Sequence, residues 1–223
     1  MENQVARRFL GLLQAEWLLW IMWVLATTAV GFLGVVGLMF GAIAESAVVY
    51  ALAVVFGVLL GTAQWMLLHK RVPRAGQWVW ATAVGWIVCA FVNLGAGRIV
   101  PQFGNPSRVP AGYYLSMAVI SVLWGTMIGT AQWMFLRERV HRASRWVWAT
   151  AMGWGVGWCL GWGAMVSPLA RVLRKPGGYT LFFATFGVTV GIAVGAITGY
   201  VLNVLLRYPI SAVPDPQQEA NTR

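Results

Sequence analysis

The chain has 223 residues, of which 59% are hydrophobic and 10% charged, with a net charge of +10. Soluble domains carry about 25% charged residues, so the composition excludes a water-covered globular domain. Nor does the basic excess point to nucleic acid. The lysines and arginines sit in loops flanking apolar runs, where they set topology and meet anionic headgroups.

In chain order, residues 1–16 form a short amphipathic lead-in with Arg7 and Arg8. No secretory signal peptide is expected, because the apolar run continues well past the length of an h-region. Six apolar runs follow, at 17–40, 47–68, 78–97, 114–136, 146–166 and 181–207. Each is near the ~20 residues that cross a hydrocarbon core of roughly 30 Å. A membrane barrel would instead alternate apolar and polar residues over about ten positions. Residues 208–223 form a polar, proline-bearing tail.

The second and fourth runs end in the same way. Residues 61–86 read GTAQWMLLHKRVPRAGQWVWATAVGW and residues 129–154 read GTAQWMFLRERVHRASRWVWATAMGW, identical at 19 of 26 positions with an offset of 68. Each copy is a helical hairpin with a basic bend, within repeats spanning 47–97 and 114–166. A third copy is split between the chain ends. In the sixth run Gly195 and Gly199 align with Gly57 and Gly61 and with Gly125 and Gly129; in the first, Trp23-Val24-Leu25-Ala26-Thr27 aligns with the segments starting at Trp78 and Trp146. The expected fold is an all-α integral membrane protein. Its domain spans 17–207 and comprises three pseudo-threefold related hairpins, helices 2–3, 4–5 and 6–1, the last pairing 181–207 with 17–40. Copies of two spans enter the membrane in one direction, about an axis along its normal.

Eleven basic residues flank one face: Arg7, Arg8, Lys70, Arg71, Arg74, Arg137, Arg139, Arg142, Arg145, Arg207 and Arg223. Five flank the other: Arg98, Arg108, Arg171, Arg174 and Lys175. The positive-inside rule places both termini and both repeated loops in the cytoplasm.

Within the runs, glycines four apart let helix backbones approach. Gln64 and Gln132, each just before its basic loop, are candidate interhelical or ligand contacts, with Asn203 beside the equivalent place in the sixth run. Trp65, Trp78, Trp80, Trp133, Trp146 and Trp148 lie beside the basic loops, where indoles anchor at headgroups. Trp154, Trp158 and Trp162 recur every four residues, giving core filling or a surface for a flat conjugated ligand such as a carotenoid or quinone. Cys89 and Cys159 read as small core residues. No ionisable residue falls mid-span, as a proton-coupled pump would need. His69 and His141 lack the spacing of metal ligands. No catalytic, metal or cofactor site is expected.

The segments Ala63-Gln64-Trp65 and Ala131-Gln132-Trp133, each leading into a basic loop and WVWATA-GW, resemble the AQW-repeat segments of uncharacterised bacterial multi-pass membrane proteins. The resemblance covers helices two to five well and helices one and six weakly. It implies a bacterial inner-membrane protein and brings no activity or site residues. The expected function is non-enzymatic: a scaffold, or a binder of a lipid or pigment, in a membrane assembly. Lys70, Arg71, Arg74, Arg137, Arg139, Arg142 and Arg145 would contact anionic headgroups, a membrane-protein partner or a second copy of the chain. The competing expectation is a small transporter or channel along the pseudo-threefold axis. A polar, water-accessible axis lined by Gln64, Gln132 and Asn203 favours transport, and a dry axis closed by glycines and aromatics favours scaffolding.

Overall fold

The computed structural model describes residues 2–41, 46–97, 111–166 and 178–207. The tail 208–223, Glu45, and the loops carrying Arg98, Arg108, Arg171, Arg174 and Lys175 lie outside the described residues. Six helices are seen among the rest: α1 (Glu2–Gly41), α2 (Ser46–Leu68), α3 (Gln77–Gly97), α4 (Ala111–Leu136), α5 (Ser144–Val166) and α6 (Gly178–Leu206). The expected runs fall on them closely, except that α1 takes in the lead-in without a break.

Four of the six are long and apolar enough to cross a membrane, over Gln14–Gly34, Ala51–Leu68, Leu115–Leu136 and Leu181–Leu206. α3 contributes a shorter apolar stretch, Gln77–Val92. α5 has five tryptophans and five glycines in place of aliphatic residues, which lowers its hydropathy. The outward surface is apolar: Leu18, Leu25, Phe91, Leu115, Leu160 and Tyr200 are all more than half exposed. Monomeric soluble proteins rarely expose such contiguous apolar area, and a membrane protein is the class that fits.

Each helix packs against its neighbours in the chain, and α6 packs against α1, so the contacts close into a ring. Glycines set the approach within each pair. A Cβ at Gly57 would lie 2.8 Å from the Ala83 Cα, and one at Gly125 2.7 Å from the Ala151 Cα. One at Gly61 would lie 2.8 Å from the Val79 Cα. On the third pair the same contacts fall at Gly191, 2.5 Å from the Thr28 Cα, and Gly195, 2.8 Å from the Val24 Cα. This corrects the alignment drawn from glycine spacing by one helical turn, since Gly191 and Gly195, rather than Gly195 and Gly199, occupy the places of Gly57 and Gly61. The reason is that α6 carries glycine at 187, 191, 195 and 199, so a spacing of four fits either register. In the corrected register Leu68, Leu136 and Leu202 coincide, and all three are fully buried.

The two repeated bends are superposable in their hydrogen bonding. The amide of Val72 donates to the Leu68 carbonyl and that of Val140 to the Leu136 carbonyl, at 2.9 and 3.0 Å. Arg74 (φ 54°) and Arg142 (φ 59°) turn the chain in the left-handed region. That turn tucks Val72, Ala75, Val140 and Ala143 under the bundle, where they join its core. Arg139 reaches back from the second bend to the first, donating from Nε to the Pro73 carbonyl (3.2 Å) and from a terminal nitrogen to Gln77 Oε1 (2.9 Å), while its guanidinium lies 3.9 Å from the Phe135 ring centre. Burial lowers its pKa, Glu138 opposing and Arg74 reinforcing the shift. Arg71, at the matching place, donates to the Ala15 carbonyl of α1.

Candidate functional site

Three tryptophans from different helix pairs meet on the ring axis. Trp23 of α1, Trp78 of α3 and Trp146 of α5 are almost wholly buried, with ring centres 6.1, 6.0 and 5.3 Å apart. They pack edge to face, the arrangement aromatic quadrupoles prefer. The headgroup-anchor expectation is therefore corrected for Trp78 and Trp146. Two residues along a helix is more than half a turn, so Trp80 and Trp148 point outward (74% exposed each) while Trp78 and Trp146 point to the axis.

Each indole of the triad has an acceptor on the preceding helix of its own pair. Trp78 Nε1 donates to Gln64 Oε1 at 2.9 Å, and Trp146 Nε1 to Gln132 Oε1 at 2.9 Å. Trp23 Nε1 donates to Thr198 Oγ1 at 3.0 Å. Thr198 holds the glutamine's place in the corrected register of α6, and sequence reading missed it because the glycine alignment pointed one turn further, to Leu202 and Asn203. Gln132 also donates to Thr82 Oγ1 at 3.0 Å, joining α4 to α3. Asn203 is elsewhere: its amide donates to the Glu16 carbonyl (2.9 Å), beside the ion pair of Arg207 with Glu16. The structure thus brings Gln64 and Gln132 together around the triad and sets Asn203 apart from them.

Beyond the triad, on the side away from the bends, the ring encloses a cavity of about 80 Å³ whose lining is mostly apolar. One wall is aromatic, formed by Trp86, Trp124, Trp154 and Trp158. Trp154 links them, with its ring centre 5.7 Å from that of Trp86 and 6.3 Å from that of Trp124. Trp158 packs on Phe186 at 5.0 Å, and Trp162 on Phe182 at 5.9 Å. The facing wall is small: Thr27, Val30, Gly31, Gly34 and Gly191. Among the described residues, no charged side chain lines the space.

The asymmetry follows from two substitutions in the split copy. Gly31 stands where the other copies have Trp86 and Trp154, eight residues past each triad member, and a Cβ there would lie 3.1 Å from the Gly187 carbonyl oxygen of α6. Val30 stands where they have Gly85 and Gly153. A Cβ at Gly85 would lie 2.9 Å from the Ile128 Cα, and one at Gly153 3.1 Å from the Val194 Cα. Val30 of α1 and Leu60 of α2 both line the cavity.

Four polar groups at this cavity are buried without a partner among the described residues: the indole N–H of Trp86, Trp124 and Trp158, and the Thr27 hydroxyl. Leaving a buried donor unmet costs about 1–3 kcal/mol, so their clustering here is informative. Cys89 is buried with its thiol 3.7 Å from the Trp124 carbonyl, whereas Cys159 faces outward, contrary to the core placement expected. Its position is the reason: Trp158 and Gly161 take the inward face of that turn. Lys70, Arg71, Arg74, Arg137, Arg142 and Arg145 are exposed around the bends, and Arg139 is half-buried between them.

Comparison with protein families, with curated proteins and with solved structures returns no match.

Proposed function

We propose that the chain is a multi-pass membrane protein that binds a hydrophobic small molecule inside a ring of six spans, and that it is not an enzyme. The observation that carries the reading is the cavity between a tryptophan wall and a glycine wall, lined without charge among the described residues. Concave, mainly apolar sites with a few polar groups are where small ligands bind. A transport path along the axis is disfavoured, because Trp23, Trp78 and Trp146 fill it at the loop end and Gln64 and Gln132 spend their carbonyls on those indoles.

In this reading the three helix pairs, α2–α3, α4–α5 and α6–α1, are related by a pseudo-threefold axis along the membrane normal. α3 and α5 are spans despite their lower hydropathy. Both termini and both basic bends lie in the cytoplasm of a bacterium, at the inner membrane, in keeping with the AQW-repeat resemblance. The exposed arginines of the bends meet anionic headgroups, and an acidic partner or a second copy can dock there.

The test is quenching of tryptophan emission by a brominated alkyl chain added to the protein in micelles. Gly34→Leu is the companion variant, because Gly34 lines the cavity and a Cβ there would make only ordinary contact, 3.7 Å from the Phe56 ring. Saturable quenching is expected in the native chain and at least tenfold weaker affinity in the variant. Equal quenching of both would contradict the reading.

A further inference from the structure

The chemistry of the cavity wall narrows the class of molecule, given the cavity-binding reading above. Trp86 lies eight residues past Trp78, and Trp158 twelve past Trp146; Trp124 lies twelve before the end of α4. At helical rise these donors sit about 12–18 Å from the loop end, which is the middle of a hydrocarbon core of roughly 30 Å. Hydrogen-bond acceptors are scarce at that depth. The three indoles can only donate, and no acceptor among the described residues meets them. The buried Thr27 hydroxyl, 4% exposed, is a fourth unmet group on the opposite wall.

A charged headgroup is excluded as occupant, since no ionisable side chain lines the space to compensate it at this depth. Size then separates chains from rings. The cavity, at about 80 Å³, is roughly half the ~150 Å³ space that takes up benzene. A ring would force the walls apart, and of a thin chain only one end fits inside.

We propose that the cavity takes the carbonyl end of an uncharged, thin-chained lipid, whose oxygen accepts from the indole N–H groups of Trp86, Trp124 and Trp158 while the rest of the chain lies outside the cavity.

The test uses protein labelled with 15N at tryptophan, in micelles, and reads the indole N–H resonances. Methyl palmitate supplies the carbonyl, an alkane of matching length lacks it, and a short-chain benzoquinone offers it on a ring. Methyl palmitate is expected to move the resonances of Trp86, Trp124 and Trp158 downfield while those of Trp23, Trp78 and Trp146, which already donate, stay put. The alkane should bind without moving any. Trp86→Phe, Trp124→Phe and Trp158→Phe should each weaken the ester about 2–10-fold, the usual worth of one hydrogen bond, and leave the alkane unchanged. Ester and alkane binding alike with still indoles overturns the carbonyl assignment and spares the cavity reading. Indoles already at hydrogen-bonded positions and unmoved by any probe overturn it in favour of water. A response to the quinone alone overturns the thin-chain argument. Binding of none of the three sinks the cavity reading itself.

Discussion

An indole carried into the middle of a helix bundle needs an acceptor within reach of its one donor, and Trp20, Trp23, Trp78 and Trp146 find theirs fourteen or more residues away in the chain. Removing the acceptor is therefore worse than its own bond suggests. A hydrogen bond between membrane helices averages only ~0.6 kcal/mol, whereas stranding its donor costs about 1–3 kcal/mol. Gln132→Leu should lower the thermal midpoint in detergent more than Gln64→Leu, because Gln132 also holds Thr82. The double variant Gln132→Leu with Trp146→Phe should recover part of the loss, since neither partner is then left unmet. Identical midpoints for all variants would remove the triad from the account. The polar positions themselves were legible in the sequence. Their partners were not, because a tryptophan beside a basic loop reads equally as headgroup anchor or core, and only the face of the helix decides.

Arg74 and Arg142 carry a second residue-scale prediction. A side chain in the left-handed region costs on the order of 1 kcal/mol, and glycine relieves that while losing a similar amount in unfolded-chain entropy. Arg142→Gly should be near neutral in thermal unfolding, and Arg142→Val, β-branched at positive φ, destabilising by about 1 kcal/mol or more. A tolerated valine would show that this bend does not hold the φ assigned to it.

At the scale of the element, the hairpins are built from glycine meeting backbone. A Cβ at Gly125 would fall 2.6 Å from the Thr150 carbonyl oxygen, and neither helix has a flexible side chain there to move aside. Gly125→Ala should force α4 and α5 apart at a cost of about 1–3 kcal/mol, in the range of overpacked cores. Gly76→Ala, where a Cβ would meet nothing within 4 Å, is the contrasting control. Equal thermal midpoints for the two variants would contradict the packing described. The two tandem hairpins were readable because their signals are local: an apolar run, a basic bend and a second run repeated at one offset. The split copy was readable only in outline. Four glycines at a constant spacing along α6 mark a face and not a register, and it is contact with Thr28 and Val24 that fixes the register one turn from the sequence alignment.

For the whole molecule, the first and last helices close the ring, and the copy they form is the one that differs. Gly31 and Val30 there replace a tryptophan and a glycine of the other copies, and the cavity lies against that difference. Nothing local in the sequence announces a cavity, since it arises where six helices fail to fill a common axis. Orientation is a separate prediction at this scale. Reporter fusions within 137–143 and at the C-terminus should both report the cytoplasm, following the eleven-to-five excess of basic residues; an external signal from either would overturn the topology. The most direct test of the central claim is native mass spectrometry of the protein released from its own membranes. The account predicts a bound neutral molecule of defined mass on the native chain and its loss from Gly34→Leu; the same adducts on both, or none on either, would contradict it.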